Sequence, residues 1–75
     1  MAYNYEYEFD GYELIRWHLP SEKLSILNKC SDEFTAINRA KRDFARLANM
    51  AKGKGRDISA VWHYGGGRRL SLNQA

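Results

Sequence analysis

From Tyr3 to Asp10 the chain alternates without a break, Tyr3, Tyr5, Tyr7 and Phe9 against Asn4, Glu6, Glu8 and Asp10. A period of two puts the aromatics on one side of a β-strand and the polar side chains on the other. The period changes at Ser31. From Ser31 to Ala51 the residues Ala36, Ile37, Ala40, Phe44, Leu47, Ala48 and Ala51 share one broad face, at the ~100° per residue of an α-helix. Phe34 and Ala45 sit at its margin. The alanines on this face predict close approach to a flat neighbour, a sheet. Ser31 is the expected N-cap, with Asp32 and Glu33 in the first turn, where carboxylates suit the positive end of the dipole. Gly53 and Gly55 mark the stop, with Lys52 near the negative end.

The remaining apolar positions predict four more strands. Tyr12–Leu19 follows an Asp10-Gly11 turn. A two-residue turn there would place Leu14, Arg16 and His18 beside the tyrosines. A three-residue turn with Gly11 left-handed would place Ile15 and Trp17 there instead, and is preferred because it joins apolar to apolar. Leu19-Pro20-Ser21-Glu22 reads as a turn with Pro20 at its first central position. Lys23–Lys29 reads as a third strand, in preference to a short helix capped by Ser21. Ile58–Tyr64 is a fourth strand, Gly65-Gly66-Gly67 a turn, and Arg68–Leu72 a fifth, with Leu70 and Leu72 inward and Asn73-Gln74-Ala75 a fraying tail. The predicted architecture is α+β in the order β-β-β-α-β-β: a mainly antiparallel sheet of about five short strands with one long helix packed on one face.

Length allows one domain, since 75 residues bury only about 60–65% of their unfolded surface. At 44% apolar and 28% charged the composition is that of a globular chain rather than a disordered one. No apolar run approaches the ~20 residues of a membrane span, and the acidic, aromatic first ten residues do not read as a signal peptide, so cytoplasmic residence is expected. Cys30 is the single cysteine; it reads as a small, half-buried residue at a strand end. Ten aromatics exceed the needs of a two-layer core, so some of Tyr3, Tyr5, Tyr12, Tyr64 and Trp62 are expected to be partly exposed.

Charge changes the picture more than composition does. Up to Glu33 there are seven acidic and three basic residues; from Phe34 on, two acidic and nine basic. One acidic and one basic side are expected, with long-range attraction to an anionic partner that weakens with salt. On the helix, Arg39, Arg42 and Arg46 fall three and four apart, opposite the apolar face, with Thr35, Asn38 and Asn49 around them. Arg39 and Arg46 can each reach Asp43. Guanidinium forks suit phosphates and carboxylates alike. Lys52, Lys54 and Arg56 form a basic, glycine-rich loop that lacks the strand–loop–helix setting and Gly-Lys-Ser/Thr ending of a phosphate-binding loop. Arg68 and Arg69 follow the triple glycine. These eight residues are the candidate partner-binding set.

Candidate chemistry is sparse. His18 and His63 are isolated, no residues have zinc-ligand spacing, and Cys30 has no orienting group for nucleophilic work. Glu6, Glu8, Asp10 and Glu13 are explained by an exposed strand face. A non-enzyme without metal or cofactor is expected. From about Ile26 to Tyr64, the strand, capped alanine-rich helix and strand resemble in organisation the very small sheet-plus-helix proteins that bacteriophages and mobile elements encode against host machinery, anti-CRISPR proteins among them. That resemblance implies a regulator or inhibitor docking through its basic face on a larger protein or nucleoprotein complex. Direct nucleic-acid binding through the same face is the alternative, and a homodimer paired through an edge strand such as Tyr3–Phe9 is a third reading. No membrane partner is expected.

Overall fold

The computed structural model describes residues 3–65 and 68–73. Its elements are β1 (Tyr5–Phe9), β2 (Glu13–His18), β3 (Lys23–Lys29), α1 (Glu33–Gly53), β4 (Ala60–Gly65) and β5 (Arg68–Ser71). They form one five-stranded sheet in the order β3-β2-β1-β4-β5. Neighbours pair antiparallel except β1 and β4, which run parallel because α1 carries the chain across the sheet between β3 and β4. The predicted α+β architecture is present, and Lys23–Lys29 is a strand. Gly66-Gly67 of the predicted last turn lie outside the described residues, as do Gln74 and Ala75.

The first hairpin departs from the preferred register. Its pairs are Tyr5 with His18, Tyr7 with Arg16 and Phe9 with Leu14. Leu14, Arg16 and His18 therefore stand beside the tyrosines, and Ile15 and Trp17 point to the opposite face. The cause is local. Asp10 Oδ1 accepts the backbone N–H groups of Tyr12 and Glu13 at 2.9 and 2.7 Å, so Gly11-Tyr12 becomes the centre of the turn. Gly11 takes φ 95°, open to a residue without Cβ. The Leu19–Glu22 turn forms as predicted, with the Glu22 N–H donating to the Leu19 carbonyl at 3.2 Å.

The helix is capped one residue later than predicted. Asp32, not Ser31, is extended and accepts the Thr35 N–H at 2.8 Å. The helix runs on through Gly53, and Gly55 turns left-handed (φ 74°) while Gly55 and Arg56 donate to the Lys52 and Ala51 carbonyls. Asn73 is not a frayed tail, for its amide accepts from Ala60 N–H and donates to the Ile58 carbonyl, each at 2.9 Å.

The core lies between α1 and one face of the sheet. Tyr7, Leu14, Ala36, Ala40, Ala60 and Trp62 are fully buried, with Phe44, Leu72 and Cys30 nearly so. Ala36 and Ala40 let the helix approach the strands, as the alanine pattern predicts. Trp62 is no partly exposed aromatic, because its pairing with Tyr7 and Leu70 sets it under the helix. Tyr12 is exposed, as expected. Phe34, placed at the margin of the buried face, is 77% exposed.

Candidate binding surface

The helix-facing register of Arg16 creates a charge beneath α1 that needs a partner. Asp43, in the middle of the helix, supplies it. Arg16 Nη1 lies 2.7 Å and the Tyr7 hydroxyl 2.6 Å from Asp43 Oδ2, and Arg46 Nη2 donates to Oδ1 at 2.9 Å. Burial alone would raise the Asp43 carboxyl, but these three donors and the Arg16 charge outweigh it and hold the group below the usual carboxylate range. For Arg16 burial would lower the pKa, and the bond to Asp43 more than reverses that. Burial, then the bond to Asp43, pushes the Tyr7 phenol well above its ordinary value. Arg46 also approaches the Met50 sulfur at 3.8 Å.

Arg39 and Arg42 are different. Both are exposed, and neither makes an ion pair among the described residues; Arg39 does not close on Asp43. They stand between two clefts. One, of about 250 Å³, is lined by Phe34, Thr35, Asn38, Arg39 and Arg42. The other, of about 300 Å³, is lined by Asn28 of β3 with Arg39, Arg42, Asp43 and Arg46. The helix rise separates Arg39 from Arg42 by about 4.5 Å and from Arg46 by about 10 Å.

The other candidate residues are placed elsewhere. Lys52 is exposed in the last helical turn. Lys54 and Arg56 line a cleft of about 470 Å³ at the helix C-terminus, with Asn4, Tyr5, His18, Leu47 and Asp57 among its walls. Arg68 lies over the Tyr64 ring, 5.2 Å from its centre. Arg69 pairs with His63, which pairs with Glu8, so it stands on the face away from the helix. Arg68 is level with Gly65 and the Lys54–Arg56 cleft is level with Tyr5 and Ala60, so a strand length of roughly 16 Å parts them. The eight residues thus form three groups. Only Arg39, Arg42 and Arg46 are brought together as a stripe.

Sequence reasoning anticipated the Arg46–Asp43 pair but missed the partners from the sheet, Arg16 and Tyr7, which lie 27 and 36 residues from Asp43 in the chain. It also missed the outward apolar face, where Leu24 and Ile26 of β3 lie beside Trp17 and Ile15 of β2. Leu24 and Ile26 are 45% and 56% exposed, and the Trp17 indole donates to Glu8 Oε1 at 2.8 Å. His18 meets Ser21 Oγ at 2.6 Å and packs against the Tyr5 ring with the two planes tilted by 48°. Among the described residues no three His, Cys, Asp or Glu side chains gather as metal ligands, and no helix is long and apolar enough to cross a membrane. Comparison with protein-family models, curated proteins and solved structures gives no match to this chain.

Proposed function

We propose that this chain is a non-catalytic docking protein, a small cytoplasmic regulator or inhibitor of the kind mobile elements encode. It engages an acidic surface of a larger protein or nucleoprotein complex. The observation that carries the reading is the pair Arg39 and Arg42, exposed and without an acidic partner among the described residues, mounted on a helix whose opposite side is buried on a sheet. Their neighbours Arg16 and Arg46 are already satisfied by Asp43. The helix backbone that carries them is already ordered, and arginine is a residue type over-represented among binding hot spots.

The test is capture of partners by the tagged protein, wild type against Arg39→Glu/Arg42→Glu, with and without nuclease. The expected outcome is a defined protein complex that survives nuclease and disappears with the double substitution. Capture that is unchanged by the substitutions overturns the reading. Capture that collapses on nuclease alone would move the same guanidiniums to phosphate contacts, whose affinity falls steeply with salt.

A further inference from the structure

The arginine stripe does not stand alone, for it borders a sheet edge. Strand β3 ends the sheet order and, among the described residues, pairs with β2 only. Such an edge presents unpaired backbone N–H and C=O groups to a further strand. Its two flanks differ sharply. Away from the helix, Leu24 and Ile26 are exposed and continue into Trp17 and Ile15. Toward the helix, Asn28 shares a cleft with Arg39, Arg42 and Arg46. The opposite edge, β5, is four residues long against seven for β3 and carries Arg68 and Arg69.

Resting on the docking role proposed above for Arg39 and Arg42, we propose that the partner enters as an extended acidic segment that adds to the sheet along β3. Side chains of an added strand alternate between the two faces of the sheet. One set would lie on Leu24 and Ile26, the other beneath the guanidiniums, so the segment that fits alternates apolar with acidic residues. The backbone supplies affinity and the alternation supplies specificity. A second copy of this chain is the poorer occupant. An antiparallel β3–β3 pair centred on Ile26 would set Lys23 of each copy beside Lys29 of the other, and it would bring two arginine stripes to one seam; like charges directly opposite are destabilising. The register shift between Leu14 and Ile15 leaves Leu27 unpaired in β3, so addition is regular from Lys23 to Ile26 and the added strand must pass this bulge to reach the arginine cleft at Asn28.

The experiment titrates the isotope-labelled protein with a synthetic peptide of alternating valine and glutamate. The control has the same composition, with valines and glutamates in separate blocks. The alternating peptide should bind about tenfold tighter or better, lose affinity with salt, and slow amide exchange along Lys23–Ile26. Ile26→Lys and Arg39→Glu/Arg42→Glu, both at exposed positions, should each weaken it by about tenfold while circular dichroism stays unchanged. Equal binding of the two peptides overturns the proposal, as does binding without slowed exchange in β3. Exchange in β3 that slows with protein concentration alone overturns it in favour of a second copy. Binding of an oligothymidine in place of the peptide overturns it in favour of nucleic acid. Should the arginine variant lose partner capture while Ile26→Lys keeps it, strand addition falls and the docking role of the arginines stands.

Discussion

Arg16 and Arg46 close on the Asp43 carboxylate at 2.7 and 2.9 Å, whereas Arg39 and Arg42, about two turns and one turn before Arg46 on the same helix, meet no acid among the described residues. The first pair is structural. Arg16 enters from β2 beneath the helix, and its side chain is only 19% exposed, so its charge is spent on holding α1 to the sheet. The second pair projects into solvent, where its field is free to act. Asp43 therefore sorts the arginines of this flank: what it binds becomes part of the fold, and what it does not reach remains available. Arg46 is intermediate, bonded to Asp43 yet with 59% of its side chain exposed.

The hardest way to break this comparison is to remove the seam on which both pairs depend. Phe44 is adjacent to Asp43 in the chain and buried against the sheet at 5% exposure. Phe44→Ala leaves a cavity and should cost about 3–5 kcal/mol. A domain of this size holds about 4–11 kcal/mol in total, so thermal unfolding should fall sharply or lose its cooperativity. A shift of only a degree or two in calorimetry would mean that the helix does not need this contact to stay mounted.

Asp43→Asn separates the two pairs directly. It leaves Arg16 largely buried without a counter-charge, and the expected loss at neutral pH is about 2–3 kcal/mol in urea denaturation. The pH dependence sharpens the point. Asp43 is held low in the folded protein, so the unfolded chain binds more protons through the acid range and stability rises with pH there. That contribution is complete above the unfolded carboxyl value of about 4 and is lost as pH falls through the lower folded value. Asp10 and Asp32 act in the same sense, held low by the backbone N–H groups of Glu13 and Tyr12 and of Thr35 respectively. The variant should therefore show a shallower, not a vanished, acid slope. Tyr7 limits the other end. Its raised phenol gives stability that is full below about pH 10 and declines as pH climbs toward the folded value. An acid slope identical in wild type and Asp43→Asn would show that the network carries no charge energy.

Much of this was readable in the residues, and the misses were of two kinds, one long-range and one local. Alternation at Tyr5, Tyr7 and Phe9 announced a strand, and Ala36, Ala40 and Phe44 announced a helix on a flat neighbour; both signals are local. The hairpin register was misread because matching apolar with apolar kept Arg16 away from the helix. The structure instead puts Arg16 inside, where Asp43 and Tyr7 answer it, and that answer lies beyond any local window. Ser31 and Asp32 are both good capping residues, so composition could not choose between neighbours. The stripe of Arg39, Arg42 and Arg46 was legible from spacing alone. That Arg68 and Arg69 stand apart from Lys54 and Arg56 was not, because the separation depends on β4 pairing parallel to β1, a long-range fact.

The smallest expected effect is also the most telling for function. Arg39→Gln/Arg42→Gln removes two exposed charges that make no ion pair among the described residues, and an exposed position with no capping, packing or ion-pair role changes stability by less than about 0.5 kcal/mol. The direction should be slightly stabilising at low salt. Arg39, Arg42 and Arg46 lie three and four residues apart, and like charges at that spacing repel by a few tenths of a kcal/mol. Arg16→Gln, matched in chemistry, should instead cost about 2 kcal/mol or more, because it leaves Asp43 in a largely buried site with one donor fewer. Equal losses from the two variants would abolish the distinction between structural and free arginines. A near-zero loss for the exposed pair, measured by urea denaturation at low and high salt, would show that their presence on this helix is not explained by stability.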